Sequence, residues 1–219
     1  MIRPQALQMA RNAYQKYKTR DPLQIICDRN ILLKEFDEPE SLLGFYTVMN
    51  RRQVIGINRA ADAVQRKTGL IHELGHSLND YKAAASGNHF SDSFEDCRLF
   101  SFSNAPKEFN ANLTGADLCI DDAFILDQIH FLQYQEAVTY ISEHIDRYKT
   151  PMAKMRFEEE RMLDFFYENP DIPSFEMLAG ELGVDVQLVK FKFRALNYRG
   201  YELPNIPETR SDFLKNWQR

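Results

Sequence analysis

The stretch Leu70-Ile71-His72-Glu73-Leu74-Gly75-His76-Ser77-Leu78 constrains this chain more than any other. Two histidines stand four residues apart with a glutamate directly after the first, and on a helix that spacing puts both imidazoles on one face. Two neutral imidazoles so placed can share one zinc ion. Ile71, Leu74 and Leu78 around them imply a half-buried helix, where unliganded imidazoles are costly. A catalytic zinc needs a third protein ligand, an open position for water, and a carboxylate able to take that water's proton. Glu73 is the natural base. The expectation is a zinc-dependent hydrolase, most simply a peptidase, with the rest of the chain supplying the third ligand and a substrate groove.

The chain's 219 residues suit one full domain plus a smaller appendage. A 44% hydrophobic share with 16 Phe and 10 Tyr excludes a disordered chain, and a net charge of −5 gives no global pull toward nucleic acid or membrane. The segment Met1-Ile2-Arg3-Pro4-Gln5 lacks the apolar run of a signal peptide, and no stretch approaches the roughly 18 apolar residues of a membrane span, so a cytoplasmic location is expected. Cys27, Cys97 and Cys119 are scattered without a C-x-x-C pair, which reads as reduced, mostly buried thiols.

Apolar periodicity predicts a helix over 5–18, and Asp21-Pro22 opens a short second one. Ile31 to Phe36 reads as a strand. Leu42 to Met49 and Gln53 to Ile57 read as an antiparallel hairpin turning at Asn50-Arg51-Arg52. Asn58 is placed to cap a helix running from about Arg59 to Tyr81, with the histidine pair in its second half. Residues 83–105 show neither period, and so long an irregular segment is usually functional. Helices follow from Lys107 to about Cys119, from Asp121-Asp122 through Leu132, and over roughly 135–148. Beyond Thr150-Pro151, residues 174–189 have the layout of helix, glycine turn and second helix, with Ser174 and Asp185 as caps.

The third ligand has several candidates. The metzincin continuation would need Gly and His where Asn79 and Lys82 stand, so that subclass is excluded. Glu108 precedes Asn112 by four residues, which gives one helix face a carboxylate ligand and a polar group able to hydrogen-bond a zinc histidine, an arrangement resembling the gluzincin pattern. His89, in the irregular segment, is the main competitor. His130, Glu95, Asp96 and Asp117 are the others.

The run from Phe45 through Arg51-Arg52-Gln53-Val54-Ile55-Gly56-Ile57-Asn58, then His72-Glu73-Leu74-Gly75-His76, then Glu108-Phe109-Asn110-Ala111-Asn112, resembles the ImmA/IrrE family of metallopeptidases. That resemblance implies His72 and His76 as zinc ligands, Glu73 as base and Glu108 as third ligand. Asn110 and Thr114 depart from the family's usual Glu and Phe, and Asp80 stands where many members have another histidine. The implied fold is α+β: a zincin-like metallopeptidase domain over 1–150 with a small antiparallel sheet and the H-E-x-x-H helix, a helical, helix-turn-helix-like region over 151–200, and a tail over 201–219. The implied substrate is a helix-turn-helix repressor of a phage or mobile element, cleaved to relieve repression.

In the expected mechanism zinc activates water and Glu73 relays its proton, with His89 and Tyr81 as weaker candidates for contact with the transition state or substrate. One strand of the 42–57 hairpin is available in principle to pair with an extended substrate. The rival reading is a DNA- or repressor-binding regulator with a structural or vestigial zinc site, using Lys190, Lys192 and Arg194 on the second helix of 174–199. Interleaved Leu188, Phe191, Phe193 and Leu196 favour packing or protein docking there instead.

Overall fold

A computed structural model describes residues 5–37, 42–86, 90–93 and 106–203. The chain divides into two compact units: Met1–Asp121 with Ala179–Glu202, and Asp122–Leu178 with Leu203–Arg219. This cut differs from the expected boundary near residue 150, because the chain after Leu178 returns to pack in the first unit.

In the first unit, α1 (Gln5–Tyr17) buries Ala6, Leu7, Ala10 and Ala13, all on one helical face. Helix α2 (Pro22–Asp28) starts as expected, with Asp21 accepting from the Leu23 N–H and Pro22 in the first turn. Strands β1 (Leu32–Phe36), β2 (Leu42–Met49), β3 (Arg52–Asn58) and β4 (Phe90–Ser93) form one sheet in the order β1-β3-β2-β4. The hairpin β2–β3 is antiparallel, as expected, and turns through Asn50 and Arg51, both at positive φ. The sheet as a whole corrects the expected antiparallel one: β1 runs parallel to β3, with α2 before it and the hairpin after. Strand β4 comes from the segment that shows no period, and its register on β2 shifts between Leu42 and Gly44.

Helix α3 (Ala63–Asn79) begins later than expected. Asp62, not Asn58, caps it, in a reciprocal capping box with Gln65. Asn58 is used instead to tie the sheet to the turn before the helix, donating to the Leu42 carbonyl and accepting from the Ala60 N–H. Helix α4 (Tyr81–Ala85) follows at once, and α5 (Pro106–Cys119) opens on proline. Sheet and helices share a core of Ile25, Ile26, Ile31, Tyr46, Ile55, Ile57, Leu74, Leu78 and Leu118.

In the second unit, α6 (Asp122–Gln128) and α7 (Phe131–His144) are separated at His130, whose φ of 49° interrupts the single helix expected there. Helix α8 (Pro151–Glu168) is capped by Thr150, so Thr150-Pro151 starts a helix inside this unit. Tyr134 packs edge-on against Phe165, and Tyr148 stacks on Phe157.

Two helices, α9 (Phe175–Leu182) and α10 (Val186–Tyr198), flank a turn at Gly183, whose φ of 61° suits glycine. Asp185 caps α10, as expected. Within the first unit, the Leu182 carbonyl accepts from Lys67 and the Asp185 N–H donates to Thr68, which fasten this turn to α3. Cys27 is exposed, contrary to the expected burial, because it lies on the outer side of α2, and Cys119 is half-buried. Among the described residues, no helix is long and apolar enough to cross a membrane.

Candidate metal centre

Helices α3 and α5 lie close enough for backbone to approach backbone. A β-carbon on Gly75 would stand 2.1 Å from the Ala111 carbonyl oxygen, and one on Gly115 would stand 2.5 Å from that of Ile71. This approach brings the first turn of α5 over the face of α3 that carries the two histidines.

His72, His76 and Glu108 meet there. The two Nε2 atoms are 3.0 Å apart, and Glu108 Oε2 lies 3.2 Å from that of His72 and 3.1 Å from that of His76. Both histidines are buried, while the Glu108 side chain keeps 32% of its surface. The opposite ring nitrogens are held from behind: His72 Nδ1 donates to Asn112 Oδ1 at 2.7 Å, and His76 Nδ1 donates to Asp80 Oδ2 at 2.9 Å. With the proton fixed on Nδ1, a neutral ring keeps its lone pair on Nε2, aimed at the common point.

Those three ligand atoms fit a metal. Zinc bonds of 2.0–2.1 Å in a tetrahedral site separate neighbouring ligands by about 3.3 Å, close to the three distances observed. The carboxylate also polarises the trio electrostatically. Burial alone would raise the Glu108 carboxyl, but in the metal-free protein hydrogen bonds from Nε2 of His72 and His76, made when the rings carry a second proton, outweigh it and hold the group well below the usual carboxylate range. For His76 burial alone would lower the value, and bonds to Asp80 and Glu108 reverse this, raising it above 6.5.

Glu73 is buried on the same helix and near enough to His76 to act on it electrostatically. Gly44 of β2 makes room for it: a β-carbon there would stand 3.2 Å from Glu73 Oε1. Asn112 sits where a hydrogen bond to a zinc histidine was expected of it. Asp80 is the residue that sequence reasoning missed as a partner. Its signal was available, since it follows His76 by four residues, the same offset that relates Glu108 to Asn112.

The other expected participants fall elsewhere. Tyr81 opens α4 with its side chain exposed, near the buried Tyr46. His89, Glu95 and Asp96 lie outside the described residues, and His130 precedes α7 in the second unit. Asp117 is engaged by Lys192 and Arg199. Both strands of the hairpin are already flanked, β3 by β1 and β2 by β4, which corrects the expectation that one of them could take up a substrate strand. Lys192 is fully buried against Asp117, so it is not placed to meet phosphates. Arg194 lies over the Phe191 ring.

Comparison with the curated proteins and with the solved structures returns no match. The family model Peptidase_M78, the IrrE N-terminal-like domain, matches residues 28–152, which hold β1 to β4, α3, α5 and the whole His72–His76–Glu108 group. A match over more than half of the chain places this protein in the Peptidase_M78 family, a family of metallopeptidase type.

Proposed function

We propose that the protein is a zinc-dependent endopeptidase of the gluzincin-like His-Glu-x-x-His…Glu type, and that it cleaves a helix-turn-helix repressor at a specific site to relieve transcriptional repression. The observation that carries the reading is the convergence of His72 Nε2, His76 Nε2 and Glu108 Oε2 within 3.2 Å of one another beside a buried Glu73. A zinc ion held by these three residues would supply Lewis acidity and make water acidic enough to act as a nucleophile near neutral pH. Glu73 would take the proton of the attacking water as general base and return it to the leaving amine. Asn112 and Asp80 keep both imidazoles in the tautomer that presents Nε2.

The repressor substrate follows from the family resemblance, and a cytoplasmic location goes with it. The rival reading, DNA binding through Lys190, Lys192 and Arg194, is weakened because Lys192 is buried on Asp117 and the chain is acidic.

The test is co-expression with a helix-turn-helix repressor of phage or mobile-element type, wild type against Glu73→Gln. Loss of a general base costs roughly a hundred- to ten-thousandfold in rate, so the wild type should release a discrete fragment and Glu73→Gln, with zinc still bound, should not. A regulator left intact by zinc-loaded wild type would refute the proposed substrate. Cleavage by Glu73→Gln at the normal rate would refute the mechanism.

A further inference from the structure

Helix α5 carries Glu108 in its first turn, where a helix has no preceding turn to hold it and depends on tertiary contacts. The adjacent residue supplies one: the Phe109 ring meets the Phe191 ring of α10 edge to face, with centroids 5.4 Å apart. Eight residues further along α5, Asp117 is gripped from the same helix and its C-cap. Lys192 Nζ lies 3.2 Å from Asp117 Oδ1 and 3.3 Å from its carbonyl oxygen, and Arg199 Nη2 lies 2.7 Å from Oδ1. Eight residues of helix span about 12 Å. Helix α10 thus touches α5 at both ends of that span, although it lies outside the residues that the family model matches.

We propose that α10 is a brace for the metal centre, with Phe191 as a positioning residue that holds Glu108 through Phe109. This rests on the reading of His72, His76 and Glu108 as metal ligands. The two histidines share α3 and are fixed to each other by helical geometry, whereas the third ligand arrives from a different helix. Its position depends on how α5 is seated. The Gly75 and Gly115 contacts seat α5 on α3, the Thr114 hydroxyl ties it to the Ala6 carbonyl of α1, and α10 secures the turn that bears the carboxylate. Loss of the Phe191 ring leaves the histidines in place and frees Glu108 to leave the site.

The experiment uses the full chain, stripped of metal and then titrated with zinc against a chromophoric chelator and with cobalt(II) followed by its visible absorption. Phe191→Ala is expected to weaken zinc binding about tenfold, at the low end of what supporting residues contribute to a metal site. It is also expected to change the cobalt spectrum toward that of Glu108→Gln. Phe191→Leu keeps an apolar filler without the ring edge; it should fall between wild type and Phe191→Ala, and it decides the matter if Phe191→Ala does not fold. Zinc affinity within twofold of wild type and an unaltered cobalt spectrum, in a variant whose metal-free form melts lower, would reduce α10 to ordinary core packing and overturn the proposal. Failure of the wild type to bind zinc at all would overturn the metal reading instead.

Discussion

Helix α5 ends in two carboxylates, each facing two basic side chains, and the two ends do opposite things. At the first turn Glu108 meets His72 and His76, which are neutral when their protons sit on Nδ1, so the cluster carries net negative charge and suits a cation. At the last turn Asp117 meets Lys192 and Arg199, which bring their own charge and close the cluster. Exposure follows chemistry: the Glu108 side chain is 32% exposed and that of Asp117 only 7%. A carboxylate suits a metal when its neighbours are bases without a charge, and forms a structural clasp when they are permanent cations. Arg20 strengthens the clasp, donating to the carbonyls of Asp117, Leu118 and Ile120 where the helix dipole is negative.

The contrast can be broken by substitution. Lys192→Met removes the fully buried partner of Asp117, and breaking a buried pair from one side costs about 3 kcal/mol; a loss under about 1 kcal/mol in chemical denaturation would show that the clasp is not closed by Lys192. Next in size, Asp80→Ala frees the back of His76 and should weaken zinc binding about 10- to 100-fold, while Asp80→Asn, which keeps an acceptor, should lose less. Equal affinities for all three would remove Asp80 from the site.

Acidity sharpens the same contrast with a smaller effect. In the metal-free protein the raised value of His76 stabilises the fold fully below pH 6.5, and that contribution is lost as pH rises through the folded-state value. The lowered value of Glu108 contributes above pH 4.5 and is lost only as pH falls through the folded-state value. The Glu108 end is therefore most stable between these two limits without metal, and on the proposed reading zinc should flatten the alkaline decline, because binding takes the place of the proton on His76. Melting temperatures of both forms across pH 5–8.5 measure this, and a metal-free protein that gains stability steadily above pH 6.5 would contradict it.

Helical periodicity made α1 legible from sequence, because it buries one clear stripe, whereas α3 and α5 are buried nearly all round over 71–78 and 111–118 and were legible from their motifs. Proline and the acidic caps marked the starts of α2, α5 and α10. The start of α3 was misread because both Asn58 and Asp62 can cap, and only the reciprocal bond with Gln65 distinguishes them. The parallel pairing of β1 with β3 carried no local signal, since strand direction is fixed by connections outside the strand. Within the candidate site, His72, Glu73 and His76 could be named from spacings of one to four residues, whereas Glu108 with Asn112 was one of several candidates until the family resemblance singled it out. The role of Lys192 could not, since a lysine between two phenylalanines reads as a surface charge until Asp117, 75 residues earlier in the chain, is seen beside it.

The glycine inside His72-Glu73-Leu74-Gly75-His76 passes for a spacer between the residues with chemistry. Its contact with Ala111 gives it a different standing, because the missing side chain sets how far apart the helices bearing His72, His76 and Glu108 stand. One added methyl group, placed 2.1 Å from a carbonyl, would have to lift α5 away, and the carboxylate of Glu108 would travel with it. The bite of the candidate metal site is thus gauged by an atom that is not there.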